Sequence, residues 1–206
     1  MHPAATKDFW NDKYLENHTP WDLDGPHPYV QELFQLVQKH SATKKLNIYV
    51  PGMGKGHDAL FFAQQGHSCI GGELAPAAVA SAQKIHDADK VKDLDFKLLD
   101  AIHDHKPQNL DLIYDRAMLC ALPEKVQLDY FTKSISRLKD GGIFASILFS
   151  KLNNENGPPW SVDKEKITTM AQSHNCSVVH FERKKVLYDL DFILEEALVL
   201  IQKPSR

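Results

Sequence analysis

The stretch VPGMGKGHD, residues 50–58, contains three glycines within five positions. Glycine at this density indicates a backbone that turns sharply or lets another group approach closely. The preceding segment, KKLNIYV (44–50), is rich in β-branched and aromatic residues and predicts a strand. The following segment, HDALFFAQQG (57–66), predicts a helix closed by its terminal glycine. The local fold is therefore a glycine turn between a strand and a helix.

Strands and helices alternate on the C-terminal side of this turn. Further strands are predicted for HSCIGGEL, DFKLLDAI, LDLIYDR and GIFASILFS, and helices for APAAVASAQKIHDA and PEKVQLDYFTKSISRLKDGG. Such alternation indicates an α/β fold, in which a parallel sheet carries helices on both faces. Near the C-terminus, CSVVHFERKKV and DFILEEALVLIQK follow each other with no helix between them, which predicts an antiparallel pair at the sheet edge.

Length and composition predict one soluble domain spanning residues 1–206, with the core sheet in residues 46–206. Residues 1–25 are aromatic, polar and poorly periodic, so we expect an N-terminal arm or lid. A net charge of −3 provides no electrostatic footprint for nucleic acid, and no apolar run is long enough for a membrane span. The cysteines Cys69, Cys120 and Cys176 lie far apart, which predicts free thiols and a location in the cytoplasm.

The glycine turn is a candidate ligand site. In an open α/β sheet, ligands bind beyond the carboxyl ends of the strands, where the next helix also presents free backbone N–H groups. A dinucleotide fingerprint, G-x-G-x-x-G, requires a glycine where this chain has His57. The spacing of a phosphate-binding P-loop is absent too. Because such turns also serve simple chain reversal, the turn alone does not establish binding.

Acidic residues end three of the predicted strands. Glu73 ends the second, Asp100 the third and Asp115 the fourth, so we expect all three to face one crevice. A carboxylate at the second strand is suited to both hydroxyls of a ribose, and one at the third to an adenine amino group. The alternatives are a solvated loop acid for Glu73 and an ion pair between Asp115 and Arg116. This set favours a ligand rich in hydrogen-bond donors over a phosphate-rich dinucleotide.

The pattern resembles the Rossmann-like, class I methyltransferases that use S-adenosylmethionine. Most members carry an acid two residues before the first glycine, where this chain has Val50. A more specific resemblance, to the thiopurine S-methyltransferase family with its plant thiol and halide methyltransferases, covers nearly the whole chain. It rests on YVPGMGKGHDAL, GHSCIGGELAPAAV, LIYDRAMLCALPE and NGPPWSV, and on the terminal segments FWNDKYLENHTPWD and HFERKKVLYDLDFILEEALVLI.

This resemblance implies a mixed seven-stranded sheet, S-adenosylmethionine as cofactor, and methyl transfer to sulfur of a small-molecule acceptor by in-line displacement. The residues it assigns to the cofactor are Trp10, Tyr14, Trp21, Gly52, Gly54, Glu73, Asp100, Ala101 and Arg116. Those it assigns to the acceptor are Trp21, Arg116 and Trp160. Asp115 is a candidate proton acceptor. Tyr14 and Met53 depart from the family, which more often has Trp and Cys at these positions.

The aromatic residues of the arm have a physical reason to lie near this cofactor, because a sulfonium is attracted to aromatic faces by about 0.5–2 kcal/mol. Their ordinary alternative is core packing. Other functions remain open: methylation of halide, selenium or another soft nucleophile, NAD(P)-dependent oxidoreduction, and cofactor binding without catalysis. The HDHK run at 103–106 is the nearest approach to a metal site, but no HExxH or CxxC spacing supports one. The sequence gives no indication of the oligomeric state.

Overall fold

The computed structural model describes residues 2–86, 91–153 and 156–205. After a single 3-10 turn at Pro3–Ala5, these residues form seven α-helices and seven strands. The helices are α1 (Lys7–Leu15), α2 (Val30–His40), α3 (His57–Gln64), α4 (Pro76–His86), α5 (Met118–Ala121), α6 (Glu124–Arg137) and α7 (Lys164–Gln172). The strands are β1 (Asn47–Pro51), β2 (Ser68–Glu73), β3 (Leu94–Leu98), β4 (Leu110–Arg116), β5 (Leu138–Leu152), β6 (Ser177–Lys184) and β7 (Ile193–Gln202).

One sheet contains all seven strands, in the order β3-β2-β1-β4-β5-β7-β6. Strands β1 to β5 are parallel, and β7 runs antiparallel to both β5 and β6. In the centre, Tyr49 of β1 is in register with Ile70 of β2 and Ile113 of β4. The predicted mixed seven-stranded sheet with an antiparallel C-terminal pair is confirmed. The strand order reverses between β1 and β4, which opens a crevice beyond the glycine turn.

A hydrophobic core lies on each face of the sheet. On one face, Phe34 of α2 and Phe62 of α3 pack over the buried side chain of Ile48. On the other, Phe131 of α6 packs with Tyr49 and strand residues of β5 and β7. All three cysteines are free and buried in these cores, as expected. Burial raises the pKa of the Cys69 and Cys120 thiols, so both remain protonated at neutral pH.

Two predicted boundaries are wrong. Strand β3 ends at Leu98 instead of continuing to residue 102, because the Asp100 carboxylate accepts hydrogen bonds from the N–H groups of Ile102 and His103 and turns the chain. Helix α6 ends at Arg137 instead of reaching the glycine pair, and Leu138 pairs at once with Leu110 of β4.

Two helices have no periodic signal. No residue of α1 is fully buried, so its sequence has no apolar stripe, and α5 is only one turn long. The described residues contain no group of three or more metal-ligating side chains. Within the same residues, no helix has the length and apolarity needed to cross a bilayer.

Arg137 at the end of α6 is a buried cation that braces the loop after β3. Its side chain is fully buried, and its guanidinium donates to the carbonyls of Ala101 at 2.8 Å and Asp104 at 2.7 Å. The guanidinium also lies 5.4 Å from the centre of the Tyr49 ring. The position of the loop at residues 101–104 therefore depends on a side chain that is distant in sequence.

We expect Arg137→Met to destabilise the protein by about 2–3 kcal/mol, because a buried carbonyl and a half-buried one lose their donors. Lys125→Met is the matched control, since it removes an exposed cation from the same helix and should change stability by less than about 0.5 kcal/mol. Urea unfolding of the two variants measures this difference. Equal stability of both variants would contradict a bracing role for Arg137.

Candidate active site

A cavity of about 450 Å³ lies at the carboxyl ends of the central strands, between the glycine turn and the N-terminal arm. Pockets of this size bind small molecules. Nine residues assigned to the cofactor from sequence lie on its wall: Trp10, Tyr14, Trp21, Gly52, Gly54, Glu73, Asp100, Ala101 and Arg116. The structure thus brings together residues spread over more than half of the chain, and their binding roles remain predictions.

The glycine turn is approached closely by two side chains. Gly54 has a φ of +56°, and a Cβ there would lie 2.9 Å from the hydroxyl of Tyr14. Gly52 has a φ of +59°, and a Cβ there would lie 2.6 Å from the sulfur of Met118. The backbone conformation and the space both require glycine at these positions. The turn is therefore fitted to the arm on one side and to the segment after β4 on the other.

Glu73 joins the end of β2 to the glycine turn. Its Oε2 accepts a hydrogen bond from the N–H of Gly54 at 3.1 Å, while Oε1 accepts from Leu74 at 2.7 Å and Ala75 at 3.0 Å. Burial raises the pKa of Glu73, and the three N–H donors oppose this shift. Because a carboxylate has about four acceptor positions, one remains on Oε2 for a hydroxyl donor of a ligand.

Asp100 and Ala101 also lie on the cavity wall, where the loop that Arg137 braces begins. Asp100 accepts two backbone N–H groups and also contacts Nδ1 of His103 at 2.8 Å. Burial opposes ionisation, but these hydrogen bonds outweigh it and lower the pKa of Asp100. Its carboxylate thus turns its own loop, and Ala101 presents a small buried surface to the cavity.

The arm closes over the cavity through aromatic contacts. Trp10 and Trp21 meet edge to face with ring centres 5.6 Å apart, and the indole N–H of Trp21 donates to the Tyr14 hydroxyl at 3.3 Å. Arg116 of β4 donates to the carbonyl of Trp21 at 2.6 Å. In addition, Asn11 accepts the N–H of Ala77 in the first turn of α4. The arm is therefore attached to the core by several independent contacts.

An ion-pair latch, formed by Asp22, Lys55 and His57, joins the arm to the glycine turn. Asp22 pairs with Lys55 and lies 3.4 Å from Nε2 of His57. Burial opposes ionisation of Asp22, but hydrogen bonds from His57 and Lys55 hold its pKa below the usual value. The sequence does not predict this latch, because Asp22 lies more than thirty residues from both Lys55 and His57 and no spacing links them.

The expectation that Asp115 faces the same crevice is wrong. Its side chain is fully buried and accepts from the Tyr130 hydroxyl at 2.7 Å, the Ser146 hydroxyl at 3.0 Å and the N–H of Leu119 at 3.0 Å. It forms no ion pair with Arg116 among the described residues, and burial raises its pKa to about 6. These contacts join β4 to α5, α6 and β5, which is a structural role.

Trp160 also lies away from the position expected. Its ring contacts that of His2 with centres 5.2 Å apart, and its backbone N–H donates to the carbonyl of Cys120. Among the described residues, Pro158 and Pro159 of the same loop line the cavity in its place. The loop is thus part of the site, but through its prolines.

Other wall residues have little or no signal in the sequence. Met118 follows β4 in a helix of one turn, and Asp58 lies in the first turn of α3. Much of the rest of the wall is apolar and comes from several separated segments, which include Leu122, Phe149, Leu190, Phe192 and Ile193. In a sequence, apolar residues that line a cavity cannot be distinguished from residues of the hydrophobic core. The sequence therefore does not predict this part of the wall.

The fold is shared with solved methyltransferases. The magnesium protoporphyrin IX methyltransferase of Synechocystis PCC 6803, solved with S-adenosylhomocysteine, superposes with a TM-score of 0.74 at 12% identity, covering 98% of this chain and 99% of that one. A Burkholderia thailandensis 1,6-didemethyltoxoflavin-N1-methyltransferase gives 0.73 at 14% identity, covering 98% and 88%. These likenesses show that the chain has a methyltransferase fold.

Sequence comparison identifies the family. The chain belongs to the thiopurine S-methyltransferase family, whose model matches residues 5–198. It is 28% identical over 182 residues to the thiopurine S-methyltransferase of Aliivibrio salmonicida, covering 80% of this chain and 82% of that protein. It is 30% identical over 182 residues to the one of Legionella pneumophila strain Corby, covering 80% of each. The resemblance drawn from the sequence is confirmed.

For Asp115 we expect a stability effect with a defined pH dependence. Its pKa is raised from 3.8 to about 6 on folding, so the folded state holds the proton more tightly and stability falls as pH rises through this range. Asp115→Asn cannot ionise, so its stability relative to the wild type should improve by about 2–3 kcal/mol between pH 4 and pH 7. Urea unfolding at both pH values measures this.

Asp115→Ala leaves three buried donors unpaired and should lose at least about 2 kcal/mol at either pH. Asp115→Asn should retain turnover, because the carboxylate does not reach the cavity. If the asparagine variant is stable and binds cofactor normally but is inactive, the result would indicate that Asp115 acts as a proton acceptor in catalysis.

For the latch we expect Asp22→Asn to speed the dissociation of S-adenosylhomocysteine by about tenfold, which corresponds to about 1.4 kcal/mol for the lost ion pairs. Asp24→Asn is the matched control, since it removes an equal charge two residues further along the arm at an exposed position. Stopped-flow tryptophan fluorescence reports both rates. Identical dissociation from the two variants would exclude the latch from arm closure.

Proposed function

We propose that this methyltransferase transfers the methyl group to the sulfur of a small organic acceptor of thiol or thiopurine type. The observation that carries the proposal is the apolar part of the cavity wall, beside a polar part suited to the cofactor. Its relatives are named for a sulfur acceptor. In this proposal residues 1–206 act as one domain in the cytoplasm, and the N-terminal arm is its lid.

The polar part of the cavity fits S-adenosylmethionine. Glu73 keeps one acceptor position, on Oε2, for a ribose hydroxyl, and Asp100 and Ala101 provide a polar edge and a small surface for the adenine. Gly52 and Gly54 let a chain pass against the backbone. Arg116 uses one N–H on the Trp21 carbonyl and has further donors for a carboxylate. We assign these residues to cofactor binding on this match of donors and acceptors.

When bound, the cofactor supplies an activated methyl group on a sulfonium. The protein then has to align the acceptor and exclude water, which together contribute much of the rate in such displacements. The arm serves both purposes, since Trp10, Tyr14 and Trp21 cover the cavity and offer aromatic rings to a cation. The arm closes through its contacts with Arg116 and the latch, and this closure excludes water from the site.

The thiol proton needs a destination, because the thiolate is the nucleophile. Acidic aromatic and heterocyclic thiols ionise in water before they bind, and Arg116 offers a positive charge to such an anion. With Asp115 directed into the core, these acceptors require no protein base. We therefore propose that the enzyme selects acceptors that are ionised in solution.

We expect the purified protein to convert aromatic thiols to methyl thioethers, with a rate that rises through the acceptor's own pKa and is constant above it. The experiment supplies S-adenosylmethionine with thiophenol, a mercaptopurine, an alkyl thiol, a selenol and iodide in separate reactions. Mass spectrometry measures the methylated product and S-adenosylhomocysteine.

Matched alcohols are the control, since they differ from the thiols only in the acceptor atom. Product from iodide alone would show that the acceptor is a halide and not sulfur. A preference for the selenol would identify selenium as the acceptor. Tight cofactor binding without turnover of any acceptor would indicate a binding module. A rise in melting temperature with NAD and none with S-adenosylhomocysteine would contradict the assignment of S-adenosylmethionine as the cofactor.

A further inference from the structure

Four acidic side chains lie on the wall of the cavity: Asp22, Asp58, Glu73 and Asp100. Three of them have a role that accounts for their charge. Asp22 is paired with Lys55 and His57 in the latch, and Asp100 contacts His103 while turning its own loop. Glu73 holds three N–H groups at the position assigned to the ribose. Asp58 remains without such an account.

The contacts of Asp58 are with neutral donors. Its Oδ1 accepts the backbone N–H of His27 at 2.7 Å, and its Oδ2 accepts the hydroxyl of Tyr114 at 3.1 Å. The residue is only 8% exposed. Among the part of the chain that the structure describes, it forms no ion pair with a lysine, arginine or histidine. The N-terminal end of the α3 dipole offsets part of the cost of burying this carboxylate, and a cationic ligand group would offset more of it.

The location of Asp58 suits one end of the cofactor. Asp58 follows the glycine turn directly, in the first turn of α3. Tyr114, which donates to Asp58, is two residues before Arg116 on β4, and side chains two apart on a strand share a face. Arg116 and Asp58 therefore place a positive and a negative group at the same end of the cavity.

The methionine part of S-adenosylmethionine carries a carboxylate and an ammonium, so it needs one group of each sign. On the other side of the glycine turn, β1 ends in Val50, which is buried and apolar, and Pro51. The end of β1 thus offers no charge to the ammonium.

We propose that Asp58 binds the ammonium group of the methionine moiety, while Arg116 binds its carboxylate. Each oxygen of Asp58 retains an acceptor position after its contacts with His27 and Tyr114. These two contacts also fix the carboxylate, so it is preorganised for the cation. The inference rests on the cofactor and is independent of which acceptor is methylated.

The test compares two ligands on each variant by calorimetry. One ligand is S-adenosylhomocysteine, and the other is its des-amino analogue, in which a carboxypropyl thioether replaces the homocysteine. We expect the wild type to bind S-adenosylhomocysteine at least about tenfold more tightly than the analogue, because a desolvated charge pair is lost with the amine. In Asp58→Asn the two affinities should become nearly equal.

Controls separate this effect from a general loss of binding. Glu73→Ala should weaken both ligands equally, because the ribose is common to them, and Asp22→Asn should keep the wild-type ratio. Because the ratio compares two ligands on one variant, partial unfolding cancels. Should Asp58→Asn not fold, Asp58→Ser replaces it, since its hydroxyl still accepts the His27 N–H.

An unchanged ratio in the Asp58 variant would overturn the proposal. If instead Asp22→Asn binds S-adenosylhomocysteine and the des-amino analogue with nearly equal affinity, the ammonium is bound by Asp22 of the latch. Failure of the wild type to bind either ligand would count against the cofactor and would be distinguishable from both.

Discussion

The buried carboxylate of Glu73 holds the glycine turn against the end of β2, and the site is arranged around this contact. By accepting the N–H of Gly54 with one oxygen and those of Leu74 and Ala75 with the other, it fixes the turn relative to two strands. The turn in turn positions the first residues of α3 and receives the hydroxyl of Tyr14 from the arm. Burying this charge is tolerable only because three donors converge on it.

The same constraint governs the other charges of the cavity. A site that excludes water makes each unpaired charge expensive, so Glu73, Asp22 and Asp100 are matched by backbone donors, by the latch and by His103, and Asp58 is the acid proposed for a cationic ligand group. The arm contributes Asp22 to this balance and its aromatic rings to the cover. Charge pairing and aromatic packing therefore both attach the arm to the cavity wall.

The parts predicted from sequence are those that local chemistry determines. A strand followed by a glycine turn and a helix has a short-range signature, so the sheet, the position of the cavity and Glu73 were all predictable. Asp115 was misplaced because alternation along β4 directs neighbouring side chains to opposite faces. The sequence showed that Asp115 and Arg116 end a strand, but only the packing against Tyr130 and Ser146 shows which one turns inward. Trp160 was misplaced for a similar reason, because a proline-rich loop gives no indication of which side chain points inward.

The two parts of the cavity differ in how far apart in sequence their components lie. The part proposed for the cofactor is built mainly from residues at the ends of consecutive strands, where the topology of the sheet brings them together. The apolar part joins Leu122, Phe149 and the residues after β6, whose positions depend on the antiparallel pairing of β7 with both β5 and β6. Such contacts leave no motif, because any apolar residue of suitable size packs there. A change of acceptor is consequently possible through apolar substitutions that leave the glycine turn, Glu73 and the arm contacts intact.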